Sequence, residues 1–386
     1  MRAFKPAAAV MALFMIVMSH PFSALAAEEG VIDEVRGTVT VESFEGAPRP
    51  ARAGEYVLAG ETIETGPDGF IRVIMGEGSV LELRERSRIE VFDSRADESG
   101  TRRIALFLGR MWTTVAGNSE GSTAMEVTTP TSVSGVRGTS FSAGVGLDGA
   151  TRVGVDKGLV DVSSEQGMVE LGAGQETTVE WDQAPAAPAG YNADEEQWRQ
   201  WVLSRQDQVV KHGKQIVPFV VRDVKKSRQD MVRLKKTGDQ RMKRLRDFAE
   251  KQKARGKPVR LTSRQKKAIA GYVRDVVGSV RELYISDEKM VTRYYILKQI
   301  QLDTQAHPEL YDQEFISTVN NAMAELDKLD IEKIHQDNRK IISAYVNGVD
   351  EFLKKHRLGR YKEGAPEAQD RRQALKKARQ DYNKNK

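Results

Sequence analysis

The 386-residue chain has no cysteine. Disulfides, thiolate metal sites, thiol nucleophiles and lipid attachment through an N-terminal cysteine are all excluded. Histidine is nearly as scarce. The five are His20, His212, His307, His335 and His356, and no two stand four apart, the spacing at which a helix offers paired imidazoles to a metal. They read as surface or bundle residues, so no metal or cofactor site is expected. Between residues 27 and 190 there is no histidine and Lys157 is the only lysine. A serine there, such as Ser140 after Gly138-Thr139, lacks an evident base, and no catalytic residue is assigned. Long apolar runs are missing as well. The uncharged stretch from Ala7 to Met18 is twelve residues, whereas a bilayer span needs roughly twenty.

That short run sits in a leader pattern. Arg2 and Lys5 precede it, and Ala24-Leu25-Ala26 places small residues where a signal peptidase reads. Residues 1–26 are expected to be a signal peptide cut after Ala26, delivering a periplasmic protein that is not a lipoprotein.

The net charge of +5 conceals two opposite halves. Residues 27–190 hold 14 Lys/Arg against 27 Asp/Glu, and residues 191–386 hold 44 against 28. Glycine and threonine are dense in the first half and sparse in the second. Two domains of different class are expected to meet near residue 190.

In the first half apolar residues alternate, as in Ile71-Val73-Met75, Ile104-Leu106-Leu108 and Val153-Val155, with turns such as Thr65-Gly66-Pro67-Asp68-Gly69 between them. This predicts an all-β domain over 27–182. Glycine-led units, Gly37-Thr38-Val39-Thr40-Val41 and Gly158-Leu159-Val160-Asp161-Val162, suggest a β-roll or short solenoid whose units stack. Residues 183–191, rich in alanine and proline, form an extended linker. From 192 the period becomes helical. Trp198, Trp201 and Val202 share one face, and a second stretch runs from Ile216 to Leu245 with Pro218 in its first turn. Thr262 caps a long helix to about Ala306, striped by Ile269, Val273, Val276, Val280, Leu283 and Tyr284. A further helix is expected over 309–355. The region 192–358 reads as a helical bundle or coiled-coil hairpin, and 359–386 as a charged, disordered tail.

Several pieces of the first half occur in the order of a known family. They are Gly37–Val41, Ala59-Gly60-Glu61-Thr62-Ile63-Glu64-Thr65-Gly66-Pro67-Asp68-Gly69, Gly78-Ser79-Val80-Leu81-Glu82-Leu83, Leu108-Gly109-Arg110-Met111-Trp112, Thr128-Thr129-Pro130 and Val136-Arg137-Gly138-Thr139-Ser140-Phe141. Val153-Gly154-Val155 and Gly158–Val162 close the series. Residues 31–181 thereby resemble the FecR domain, the periplasmic domain of bacterial iron-uptake signalling regulators. The resemblance implies an exported β-domain that binds or relays and does not catalyse. Family members carry a cytoplasmic segment that controls a sigma factor, and a membrane span. This chain has the leader in their place and a helical C-terminal half, so sigma-factor control is not carried over.

Within the Val136, Arg137, Gly138, Thr139 and Phe141 core, Arg137 has two readings. It contacts a partner or an anion, or, held near the core by apolar neighbours, it bridges turn carbonyls or a carboxylate. The basic clusters of the helical half, Lys225-Lys226-Ser227-Arg228, Lys235-Lys236, Arg241 to Arg244 and Lys251 to Lys257, with Arg371-Arg372 and Lys376-Lys377 in the tail, have three readings. They form a solvated face, they meet an anionic envelope surface or membrane headgroups, or they meet the acidic β domain of this chain or of a second copy. Export argues against nucleic acid. The resulting expectation is an exported, non-enzymatic binding or scaffold protein of the bacterial cell envelope, with a protein or glycan partner. A periplasmic sensor in a cell-surface signalling pathway is one alternative, and an envelope enzyme is another.

Overall fold

The computed structural model describes residues 28–43, 46–92, 101–116, 125–253, 262–356 and 368–384. The expected signal peptide lies outside these residues. A large β region precedes a helical one, as the change of period predicts. The strands are β1 (Glu28–Arg36), β2 (Val39–Glu42), β3 (Arg49–Pro50), β4 (Tyr56–Leu58), β5 (Thr62–Thr65), β6 (Phe70–Met75), β7 (Val80–Leu83), β8 (Arg88–Val91), β9 (Arg102–Thr114), β10 (Met125–Thr128), β11 (Val133–Val145), β12 (Thr151–Ser163), β13 (Met168–Gly172), β14 (Gln175–Val179) and β15 (Ala189–Gly190).

Three strands, β9, β11 and β12, are thirteen residues long and belong to two halves of one open sheet. In one half, residues 109–114 of β9 pair with 140–145 of β11, which pair with 151–155 of β12. That half continues through β7, β6 and β1 to β4, and through β14 to β15. In the other half, residues 102–105 of β9 pair with β10, which pairs with 133–136 of β11. This second half runs on through β8, β5 and β2 to β3, and through 159–163 of β12 to β13. Each long strand passes between the halves at a glycine with positive φ: Gly109 at 89°, Gly138 at 55° and Gly158 at 92°. Side-chain-bearing residues are strained in that region. Inward residues of both halves, including Val73, Leu81 and Phe141 from one and Ile63, Ile89 and Val136 from the other, share one buried cluster.

These glycines are therefore bends. Pairing among the described strands is antiparallel apart from β9–β10, so the glycine-led units do not stack as the parallel rungs of a solenoid. The Ala/Pro linker is extended, as expected, but is stitched to the sheet: the Ala186 N–H donates to the Thr178 carbonyl at 3.0 Å and the Tyr191 N–H to that of Gly174 at 2.8 Å. An edge position suits prolines, which have no N–H to leave unpaired.

The helices are α1 (Glu195–Lys253), α2 (Ser263–Ala306), α3 (Gln313–Asp327), α4 (Ile331–His356) and α5 (Ala368–Lys384). The two stretches expected before residue 253 are a single 59-residue helix with Pro218 in its interior. A mid-helix proline costs about 3 kcal/mol. Burial of Ile216, Val217 and Val220 around it offsets that loss. α2 starts at Thr262 with a complete capping box to Gln265, and its predicted apolar stripe is buried. The helix expected over 309–355 is two. Asp312 caps α3 through the Phe315 N–H at 2.7 Å, and Asp330, with φ 51°, turns the chain into α4. α1 and α2 pair antiparallel, since Gln206 meets Asp303 while Arg241 meets Ser279. α3 and α4 return along α2.

The tail expected to be disordered is helical over α5 and docked on β1 and β6. Leu375 is buried against Val31, Ile74 and Val80, beside half-buried Ala378 and Tyr382. Three apolar residues at helical spacing form a narrow stripe that the high charge of the segment conceals.

Candidate functional site

The acidic sheet and the basic helices meet within the chain. Arg205 of α1 pairs with Asp148 and Glu180, Arg222 with Asp182, and Lys226 with Glu165. Arg281 and Arg293 of α2 pair with Glu126 and Glu165. The α1 N-terminus is seated by Trp198 on a bed of glycines. A Cβ on Gly144 would lie 3.2 Å from the Trp198 ring, and one on Gly154 would lie 3.0 Å from it and 2.1 Å from Tyr191. Of the three readings of the basic clusters, contact with this chain's own acidic domain thus accounts for Lys226, whereas its neighbour Lys225 pairs with Glu325 of α3 within the helical half. Lys235, Lys236, Lys243 and Arg244 remain exposed.

The centre of the interface is a buried ionic cluster. Glu90 comes from β8, Arg103 from β9, Glu126 and Thr128 from β10, Asp287 and Glu288 from α2, and His335 and Arg339 from α4. Asp287 and Glu288 are fully buried, and Glu90, Arg103 and Glu126 are nearly so. His335 Nδ1 lies 2.6 Å from Asp287 Oδ2 and its Nε2 3.1 Å from Glu90 Oε2. Both ring nitrogens face carboxylates, so the ring is an imidazolium donating twice. Arg339 pairs with Glu90 and lies 3.6 Å above the Phe92 ring. Asn338 donates to Asp287 Oδ1 at 2.8 Å, and the Thr128 hydroxyl donates to Glu288. Phe92 packs edge-on against Tyr284.

The carboxylates of the cluster differ in their partners. Glu90 faces Arg339 and His335, Asp287 faces His335, and Glu126 faces Arg281. Glu288 instead meets the Thr128 hydroxyl, and its Oε1 accepts no hydrogen bond among the described residues. Burial pushes its carboxyl up to about 8, against the Thr128 hydroxyl and Arg103. Burial would also raise Glu90, but Arg339 and His335 outweigh it and hold the group at about 2. Burial would lower His335, but Asp287 and Glu90 push it up to about 10.

The pH dependence follows by linkage. The native state holds extra protons on Glu288 between about 4.5 and 8, and on His335 between about 6.5 and 10, so stability falls as pH rises through both windows. Glu90 acts in the opposite sense, its contribution vanishing as pH falls from about 4.5 to 2. Stability should therefore peak near about pH 4.5, where the Glu90 contribution is complete and the Glu288 contribution has yet to decline, and should fall more steeply above about 6.5 as His335 adds to the loss. Glu288→Gln should leave stability near pH 5 almost unchanged and raise it at pH 8–9 by roughly 2–4 kcal/mol. Urea denaturation at the two pH values checks this, and equal shifts at both would refute the neutral carboxyl.

The sequence motif lies elsewhere on the same sheet. Val136, Thr139 and Phe141 are buried, and Thr139 Oγ1 is 2.7 Å and 2.9 Å from the carbonyl oxygens of Arg137 and Leu159. Thr139 thus holds the β11 bend against β12. Arg137 is exposed, with no hydrogen bond or ion pair of its side chain among the described residues, contrary to its expected place near the core. The reason is the register slip between Arg137 and Ser140, where the bulge turns Arg137 and Gly138 outward together. His335, expected to be an ordinary surface or bundle residue, is central to the ionic cluster. A signal for this was present: Asp287 falls at helical spacing inside the apolar stripe between Leu283 and Met290, and His335 and Arg339 share one helix face. Among the described residues no group of three or more His, Asp or Glu is arranged to hold a metal ion, and no helix is long and apolar enough to cross a membrane.

The sheet side of the cluster, from Glu90 to Thr128, and all three bends lie within one stretch. Residues 61–161 match the FecR protein family. The FecR-matched segment runs from just before β5 into β12 and falls inside the 31–181 resemblance. Similar solved structures include two of a candidate anti-sigma factor from Parabacteroides distasonis ATCC 8503, at 1.65 Å and 2.50 Å resolution. Identities are 19% and 18%, with TM-scores of 0.31 and 0.30. Each alignment covers 35% of this chain and 62% of the other, so this chain spans about three-fifths of their length. No curated protein matches the chain. The helical partners of the FecR-matched segment, Asp287, Glu288, His335 and Arg339, all lie outside the match.

Proposed function

We propose that the chain is a non-enzymatic, periplasmic regulator in a cell-surface signalling pathway. Its FecR-matched sheet takes up a signal and the helices clamped to it pass the state to a protein partner. The observation that carries this reading is the division of the ionic cluster. Glu90, Arg103, Glu126 and Thr128 belong to the FecR-matched segment, while Asp287, Glu288, His335 and Arg339 belong to the helices. A shift of the sheet's outer strands cannot leave these buried charges paired unless the helices follow, because an unpaired buried charge is costly. Such a joint converts a local change in the sheet into a change of helix position.

Transcript profiling of a strain lacking the chain tests the proposal. A defined gene set should change and be restored by the wild-type chain. A second reading, an envelope scaffold, draws on the exposed Lys235, Lys236, Lys243 and Arg244 towards the far end of α1. Unchanged transcripts, together with co-sedimentation of the chain with peptidoglycan that salt reverses, would replace the regulator with the scaffold.

A further inference from the structure

We infer that the outer face formed by β1, β6 and the start of β7 is a docking surface for a basic amphipathic helix of a partner protein, and that α5 is its displaceable occupant within the chain. Nothing in this surface depends on whether the partner signals or anchors.

The face has a defined chemistry. Val31, Ile74 and Val80 form its apolar floor, with Tyr56 and Trp112 alongside. Glu28 and Asp33 stand at its margin. α5 answers with Leu375 on the floor, Arg372 on Glu28 and over the Tyr56 ring at 5.4 Å, and Arg379 with Asn383 on Asp33 at 3.0 Å and 3.1 Å. Arg72 of the sheet lies 5.7 Å from the Tyr382 ring. The surface thus reads a leucine flanked by basic residues at helical spacing. The face is acidic and its occupant basic, so the partner helix must be basic too.

Two observations mark α5 as an imperfect occupant. The first is its small anchor. Leu375 alone is deeply buried, whereas Gln373, Ala374, Lys376, Lys377, Gln380 and Asp381 are exposed. Arg372, though paired, is itself more than half exposed. The second is an unmet demand beneath it. Glu28 is more than nine-tenths buried, yet its Oε2 has no hydrogen-bond partner among the described residues, and the nearby Tyr56 hydroxyl has none either. Arg372 reaches only Oε1. A helix placing its guanidinium fork squarely on Glu28 would engage both carboxylate oxygens, the geometry that makes such pairs strong. A better-fitting helix can therefore displace α5.

The test uses a fluorescent peptide of residues 368–384 as probe, read by anisotropy against the full chain from Ala27 onward. In wild type the α5 of the chain competes for the face. In Leu375→Asp it is released, and the peptide should bind about tenfold tighter or better, as the competent fraction rises. Asp33→Arg added to that variant should remove the gain, as should Leu375→Asp in the peptide. Equal affinity for both chains, or no binding to the Leu375→Asp chain, would overturn the inference. Should Leu375→Asp fail to fold by circular dichroism, the pair Arg372→Glu and Arg379→Glu releases α5 without touching the floor and the same comparison decides. Sedimentation of wild type completes the test. A monomer agrees with a partner's helix, and a dimer that Leu375→Asp dissolves would assign the face to the α5 of a second copy instead.

Discussion

Replacing Arg339 with methionine is expected to lower the unfolding free energy by about 3–5 kcal/mol, the cost of leaving a buried carboxylate without its cation. Arg339 pairs with Glu90, which is only 3% exposed, and packs on Phe92. Methionine keeps much of the packing, so the loss reports the charge. His335 cannot replace the missing guanidinium, because its imidazolium is already shared between Glu90 and Asp287. Adding Glu90→Gln should recover a large part of the loss, since the orphaned charge disappears. Urea denaturation of the single and double variants checks both steps. A single variant within 1 kcal/mol of wild type would mean that the cluster does not hold the helices to the sheet.

The second large effect is expected at a bend. Gly109→Val should cost about 3 kcal/mol or more and should reduce the yield of folded protein. Its φ of 89° disfavours any side chain, and a Cβ there would lie 2.5 Å from Ser87 Cα and 2.6 Å from the Arg86 carbonyl oxygen. Backbone cannot move aside as the end of a side chain can. Relief would pull the start of β8 away from β9 and break the Ser87 Oγ contact to the Arg110 N–H at 2.8 Å. Gly138→Val should be milder, about 1–3 kcal/mol, because Gly138 is exposed and its cost is mainly the φ of 55°. Thermal melts of the two variants compare them. A smaller loss at Gly109 than at Gly138 would contradict this reading of the bends.

Much of the architecture is legible in the residues because its causes are local. The change from period two to helical period near residue 190, the Thr262 cap and the apolar stripe of α2 need no tertiary information. The opposite charges of the two halves also had a plain outcome, since the helices bring their excess of Lys and Arg to the sheet's excess of Asp and Glu. Other features depend on what lies across the interface. Alternation along a strand does not say whether its neighbour runs parallel or antiparallel, so Gly158 could lead a rung or make a bend. Arg137 stood out as a lone arginine between glycines, yet the bulge exposes it. Nothing near His335 announces that Glu90, some 245 residues earlier in the chain, will sit against its ring. Asp287 inside an apolar stripe was the available clue, and it marks a buried charge without naming its counter-ion. The charged composition of α5 conceals its docking for a related reason: one leucine suffices when the surface beneath is already made.

The three thirteen-residue strands have a further thermodynamic consequence. Because β9, β11 and β12 thread both halves of the sheet, neither half can melt while the other persists without tearing a continuous backbone out of its ladder. Calorimetry of the β region should give one sharp endotherm whose van't Hoff and calorimetric enthalpies agree. Heat or tension applied at one end of this sheet is felt at the other as an all-or-none event.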